Sequence, residues 1–211
     1  MLKDPILQKL IKKYPPPNFQ DRSEFLYENL IESIVSQQLS IKAADTIFGR
    51  FKELFDNNTI VIPVETGIYT NRSPLKSGMT TFPTPQQILI KTDDELRAVG
   101  LSYQKASYIK SVADAFLSKA VDTKKIKKMS DEDVIAALTQ IRGVGKWTAE
   151  MILIFTLNRP DVFSVGDLGL RNAITKLYGL TKPHEMLLLS EKWSPFRSTA
   201  SWYLWRSLEN K

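Results

Sequence analysis

Ile141-Arg142-Gly143-Val144-Gly145-Lys146-Trp147-Thr148-Ala149 is a glycine turn opening a helix, and the chain returns after it to Phe163-Ser164-Val165-Gly166-Asp167-Leu168, which carries a single carboxylate. Two glycines let a backbone turn tightly and bring its N–H groups against a ligand, and the N-terminus of the helix that follows favours an anion such as phosphate. Upstream, Ser130-Asp131-Glu132-Asp133 opens an apolar-periodic stretch through Val134, Leu138 and Ile141. Downstream, Trp147, Met151, Ile154 and Phe155 recur at helical spacing. Residues 131–157 therefore read as helix, hairpin, helix, and Asp167 follows Gly145 by 22 residues, enough for the second helix and a return loop. The pairing suggests a clamp for a phosphate backbone beside a working carboxylate. Glycine turns also join ordinary helices, and Asp after Gly is a common N-cap, so a purely structural role stands beside the chemical one.

Working outward, helix signals dominate and strand alternation is scarce. Asp4-Pro5 caps a first helix that ends at Lys13-Tyr14, before the extended Pro15-Pro16-Pro17. Two helices fill Phe25 to Phe55: Leu26, Leu30 and Ile34 make one apolar stripe, and Ile41, Ala44, Phe48, Phe51 and Phe55 the next, with Ser40 as N-cap between them. Asn57 to Thr84, rich in Thr, Pro and Gly, is irregular, with a short hairpin expected between Ile60 and Tyr69. Thr84-Pro85 and Thr92-Asp93-Asp94-Glu95 start helices, Val99-Gly100 stops one, a helix runs from Tyr103 to Lys119, and Ser194-Pro195 starts the last, ending near Leu208.

The 211 residues carry 29 Lys and Arg against 23 Asp and Glu, a net charge of +6, a modest basic excess suited to a polyanion. The absence of cysteine excludes disulfides and thiolate metal sites. No apolar run reaches membrane-spanning length, and Met1-Leu2-Lys3-Asp4-Pro5 runs into a short amphipathic helix rather than a signal peptide, so an intracellular, soluble protein is expected. Lys124-Lys125-Ile126-Lys127-Lys128 reads as a solvated loop, and the lone His184 as a helix-start surface residue without chemistry.

The hairpin and Asp167, together with Ile34-Val35-Ser36-Gln37-Gln38-Leu39-Ser40, Val99-Gly100-Leu101 leading into Lys105-Ala106, Val165-Gly166-Asp167-Leu168-Gly169-Leu170-Arg171 and Trp193-Ser194-Pro195-Phe196-Arg197-Ser198, resemble the helix-hairpin-helix (HhH-GPD) DNA glycosylase superfamily, in particular its 3-methyladenine DNA glycosylase II branch. The likeness covers most of the chain from about Phe25 to Trp205. It implies an all-α fold of two helical lobes with a catalytic cleft between them: a central lobe from about 34 to 157, and a second joining 1–33 to 158–211. No room is left for the small β domain that precedes this core in some relatives, and no iron–sulfur cluster is expected.

The resemblance assigns catalysis to Asp167. Breaking an N-glycosidic bond develops an oxocarbenium-like sugar cation, which a carboxylate stabilises while it orients or deprotonates water. Relatives that also cleave the backbone carry a Schiff-base lysine where this chain has Trp147, and Lys146, about 100° away around a helix, points elsewhere, so activity without a lyase step is expected. Trp147 and Trp205 occupy the positions of two base-pocket tryptophans, with Tyr103 as a further candidate, because stacked electron-rich rings attract a cationic alkylated purine. Trp193 and Trp202 suit core packing better. Gln38 matches the position that fills the hole left by a flipped nucleotide, with Leu39 beside it as the alternative. Gly143, Val144, Gly145, Lys146 and Thr148 are the expected DNA contacts of the hairpin, and the main-chain carbonyls of Thr139, Ile141 and Val144 could hold a monovalent cation, Na or K, the only cofactor implied. The resemblance thus implies a monomer that removes alkylated purines, notably 3-methyladenine, from double-stranded DNA. A non-catalytic damage-binding module, or a glycosylase for oxidised or deaminated bases, are the alternatives.

Overall fold

The computed structural model describes residues 4–56 and 82–209. The hairpin expected between Ile60 and Tyr69 lies outside the described residues. Among the described residues the secondary structure is twelve α-helices and one short 3-10 turn, with no strand, as an all-α fold requires. The chain forms two compact units, Ile31–Ala120 and a discontinuous one made of Met1–Leu30 and Val121–Lys211.

In the Ile31–Ala120 unit lie the second half of α2 (Leu26–Ser36), then α3 (Ile41–Asp56), α4 (Pro85–Ile90), α5 (Asp93–Ala98) and α6 (Tyr103–Leu117). Thr84 and Thr92 each accept from the N3 backbone N–H while Gln87 and Glu95 reach back to the cap, so two short helices begin on full capping boxes and pack against α6. On α3 the buried stripe is Ala44, Phe48, Phe51 and Phe55, whereas Ile41, expected within it, is 83% exposed. Ile41 is the first residue after the Ser40 cap, before the helix reaches the core, and Ser40 accepts from the Ala43 N–H as expected. Gly100 adopts φ +107 and would press a Cβ within 3.1 Å of Ile47, so its place at the end of α5 needs both left-handed freedom and a missing side chain.

The discontinuous unit carries α1 (Pro5–Lys13), α7 (Thr123–Ile126), α8 (Asp131–Thr139), α9 (Lys146–Phe155), α10 (Leu168–Tyr178), α11 (Pro183–Glu191) and α12 (Arg197–Arg206). Its core gathers Leu7, Leu10 and Tyr14 from the N-terminal segment with Leu170, Ala173, Ile174, Met186, Trp193, Tyr203 and Leu204. Asp4 joins these ends: it caps α1 through Ile6 N and Leu7 N and accepts from Tyr178 Oη at 3.0 Å and Trp193 Nε1 at 3.3 Å. Trp193 is fully buried and Trp202 half-buried against the same core, as expected of both.

The sequence reading put the hairpin with the central helices, yet residues 131–157 group with the terminal ones. The cause is a set of bonds made by the ends of the motif. Arg159 donates to the carbonyls of Lys127 at 3.1 Å and Met129 at 2.9 Å and pairs with Asp131 at 3.4 Å. Thr156 O accepts from Arg22 N at 2.8 Å, and Thr156 Oγ1 from Asn29 at 3.0 Å. The last helix begins at Arg197 rather than Ser194, because Ser194 Oγ and both the backbone N–H and guanidinium of Arg197 are committed to Asp161. Burial holds the Asp131 carboxyl above its ordinary range despite Arg159. Replacing Arg159 with Met keeps the stem but takes the donor away from the exposed Lys127 carbonyl, the part-buried Met129 carbonyl and Asp131, so a urea titration is expected to show a loss of about 1–2 kcal/mol. Unchanged stability would mean that the guanidinium does not tie these loops.

Candidate functional site

Asp167 is the N-cap of α10, and its carboxylate is the point on which three helices converge. Oδ1 accepts from Leu170 N at 2.7 Å and from Trp205 Nε1 of α12 at 2.8 Å; Oδ2 accepts from Trp147 Nε1 of α9 at 2.7 Å. The residue is 8% exposed. Capping and chemistry are therefore the same geometry: the helix N-terminus and two indole donors present positive edges to one carboxylate. The sequence-predicted Trp147 and Trp205 are brought to Asp167 edge-on, their N–H groups on its oxygens. Trp147 is 45% exposed, and Trp205 packs on Phe155 with ring centroids 5.6 Å apart.

Each of these side chains is placed by its own element. Gly143, at φ +94, turns the chain in a conformation that a β-carbon would strain, so that α9 begins at Lys146 with Trp147 in its first turn. Gly145 differs from the expectation that both glycines serve the turn: its φ of −90 suits any residue, and a Cβ there would meet nothing within 4 Å. What Gly145 leaves is open space beside an N-terminus that no side chain caps. First-turn N–H groups of that kind are a ready anion site.

The other predicted residues divide sharply. Val144 and Thr148 are buried, so only their main-chain groups could meet a ligand, while Lys146 is exposed and lies 3.9 Å from Glu150. Thr139 and Ile141 end the first arm of the hairpin, where Ile141 O already accepts from Val144 N at 3.0 Å and keeps one lone pair. Among the described residues no cluster of His, Cys, Asp and Glu could hold a metal. Tyr103, Gln38 and Leu39 belong to the Ile31–Ala120 unit. Tyr103 is 59% exposed, with the Arg97 guanidinium 3.8 Å over its ring. Gln38 adopts φ +59, a left-handed conformation uncommon for a residue with a β-carbon, at the exposed junction of α2 and α3. Behind this junction Lys105 Nζ donates to Val35 O at 2.7 Å, and burial lowers its pKa. Of the Lys124–Lys128 run, Lys127 pairs with Asp21 at 2.8 Å, and that hydrogen bond holds Asp21 down to about 2. His184 is exposed on the first turn of α11, as expected.

Sequence reasoning missed a second layer. Glu150, buried on α9 one turn after Trp147, accepts from the hydroxyl of the fully buried Ser164, whose carbonyl in turn accepts from Asp167 N at 3.1 Å. This bond fastens the helix bearing Trp147 to the turn bearing Asp167. The i, i+3 spacing of Trp147 and Glu150 was the available signal; nothing local marks Ser164. Phe155, 40% exposed, stands between Trp205 and Phe19, and Phe19 meets Trp202 edge-on, so an aromatic cluster backs the site. Its members are too distant in sequence to read as one group.

Residues 31–197 match the HhH-GPD superfamily, described as base excision DNA repair protein. DNA-3-methyladenine glycosylase 1 of Schizosaccharomyces pombe is 40% identical over 205 residues, which cover 95% of this chain and 80% of that protein. The solved structure of the Schizosaccharomyces pombe 3-methyladenine DNA glycosylase Mag1 in complex with abasic DNA superposes with a TM-score of 0.77 at 36% identity, over 97% of this chain and 92% of that one. A DNA-3-methyladenine glycosidase from Bacillus halodurans gives 0.73 at 32% identity, over 97% and 85%. The chain belongs to the HhH-GPD superfamily of base excision DNA repair proteins.

The Glu150–Ser164 bond makes a distinct claim on stability. Ser164→Ala leaves the buried Glu150 carboxylate without its nearest donor and is expected to cost about 1–3 kcal/mol by chemical denaturation. Glu150→Gln, which can still accept from Ser164, should cost less; an equal or larger loss would mean that the pair is not what holds the turn.

Proposed function

We propose that this protein is a DNA glycosylase that flips alkylated purines, notably 3-methyladenine, out of double-stranded DNA and hydrolyses the N-glycosidic bond. The observation that carries this is the Asp167 carboxylate, held by two indole N–H groups and a helix N-terminus beside the uncapped start of α9. The names of relatives at this level of identity support the substrate class.

In this mechanism the bond between sugar and base breaks with its electron pair passing to the base nitrogen. An alkylated base that already carries positive charge leaves as a neutral molecule and needs no general acid. The cation left on the sugar is stabilised by the ionised Asp167, which also accepts a proton from the attacking water, so that oxygen joins the anomeric carbon. Because Asp167 takes both indole N–H groups, Trp147 and Trp205 offer a base their π faces, which attract a cationic ring. Gly143, Gly145, Lys146 and Thr148 grip phosphate through the main-chain N–H groups of the turn and the Lys146 charge, and Val144, whose N–H is bonded to Ile141 O, holds the turn against the DNA. Gln38, or Leu39 beside it, fills the space of the extruded nucleotide, and Tyr103 is a further ring on which a base could stack. The carbonyls of Thr139, Ile141 and Val144, neutral oxygen donors, would suit Na or K, which would supply positive charge toward a phosphate. No other cofactor is required. The protein acts inside the cell as a monomer.

Backbone cleavage is absent from this reading. An imine needs an amine at the reacting carbon, and the position next to Lys146 is an indole committed to Asp167.

With methylated duplex DNA and mass spectrometry of released bases, Asp167→Asn should slow release by about 10²–10⁴-fold while binding to damaged duplex largely persists. Wild-type turnover in that variant would remove Asp167 from the chemistry, and no release by the wild type would favour a damage-binding module. The identity of the bases separates alkylated from oxidised or deaminated substrates. On abasic-site DNA the wild type should neither nick above a no-enzyme control nor be trapped by borohydride; a covalent adduct would show that a lysine acts and that the enzyme is also a lyase.

A further inference from the structure

We propose that Gly169 is a positioning residue: by carrying no side chain it lets the edge of the Trp205 indole lie against the first turn of α10 and keep its N–H on Asp167. A β-carbon at 169 would sit 3.0 Å from Trp205 Cδ1, 3.2 Å from Trp205 Nε1 and 3.1 Å from Asp167 Oδ1. These atoms surround a single hydrogen bond, Trp205 Nε1 to Asp167 Oδ1 at 2.8 Å, so a methyl group would crowd donor and acceptor together. Something must then shift. Asp167 is held by two further donors, Leu170 N on Oδ1 and Trp147 Nε1 on Oδ2, whereas the Trp205 indole, partly buried against the core and Phe155, is tied to the carboxylate by this one hydrogen bond. The indole is the group that gives way.

Backbone conformation does not explain the glycine. Among the described residues the positive-φ glycines are Gly100, Gly143 and Gly179, and Gly169 is the second residue of a regular helix, where propensity favours alanine. Gly166, one residue before Asp167, would place a β-carbon in open space, so the restriction belongs to position 169 and not to the whole turn. The side chain of residue 169 therefore sets whether the carboxylate has one indole donor or two. Two donors on opposite oxygens hold its plane; with Trp147 alone, Oδ1 keeps only the Leu170 N–H and the orientation toward a water is less defined.

The effect on catalysis rests on the proposed role of Asp167, so the test has two arms across wild type, Gly169→Ala, Trp205→Leu and the double variant. In 15N-labelled free protein, the indole N–H resonance that vanishes in Trp205→Leu should move in Gly169→Ala, while that of Trp193 stays. In single-turnover release of bases from methylated duplex, Gly169→Ala should be about tenfold slower than wild type, the worth of one hydrogen bond. In the Trp205→Leu background the same alanine should cost less than about twofold, because the atoms it crowds are gone. A Trp205 resonance that does not move, or an equal loss in both backgrounds, overturns the proposal. If Gly169→Ala alone fails to fold, a folded double variant supports it and an unfolded one refutes it. Should the wild type release no base, the proposed function falls, and the resonance arm still decides the position of the indole.

Discussion

A carboxylate removed from water must be given donors, and Asp167 is given three from three helices. Taking such a charge into the interior costs several kcal/mol, and each charge-assisted hydrogen bond returns about 1.5–3 kcal/mol, so the three donors together offset the burial. That requirement reaches outward. Trp147 arrives because Gly143 turns the chain before α9. Trp205 arrives because the start of α12 is bound to the loop before it, with Arg197 on Asp161, Val162 N donating to Ser198 Oγ at 3.0 Å, and Ser198 Oγ donating to Arg159 O at 2.6 Å. Leu170 N arrives with the helix that Asp167 itself caps.

This arrangement also shapes what the site can recognise. An indole whose N–H is already bonded to a protein carboxylate has no polar edge to offer a ligand; its face remains. Behind Trp205 stand Phe155 and Phe19, which add apolar surface and no hydrogen-bonding group from their side chains. On the proposed function, base selection here then depends on charge and stacking more than on a read-out of donors and acceptors, and the same indoles that select a cation orient the carboxylate that acts on it.

Most helices were legible because their signals are local. Asp4-Pro5, Thr84-Pro85, Thr92 and Ser130 each cap the helix they announce, and the 3.6-residue stripes of Leu26, Leu30 and Ile34 are wholly buried. Asp167, Trp147 and Trp205 were found through motif resemblance, and their mutual bonds were not visible in it, since nothing in a motif says whether a tryptophan presents face or edge. Ile41 failed because periodicity continues past the point where a core begins. Ser194 failed because a distant partner, Asp161, outcompeted helix propensity for its segment. Glu150 and Ser164 meet only after the chain has returned across 14 residues. Gly169 stood in a landmark string with no role of its own, and only the position of an indole 36 residues later gives its missing side chain a meaning.

The long-range bonds of the discontinuous unit differ in kind from those of its site. Asp4 meets Trp193 across 189 residues and Tyr178 across 174, closing α1 onto the helices that follow Asp167. The bonds to Asp167 span only 20 and 38 residues and lie within the stretch from α9 to α12. Closing a loop costs entropy that grows slowly with its length, so the distant staple at Asp4 can secure the end of α10 and the segment between α11 and α12 without needing to be near the chemistry. The Asp4 network and the Asp167 network then share α10 and its packing partners as a common support. Burial raises the pKa of Tyr178, which keeps its hydroxyl as the donor to Asp4.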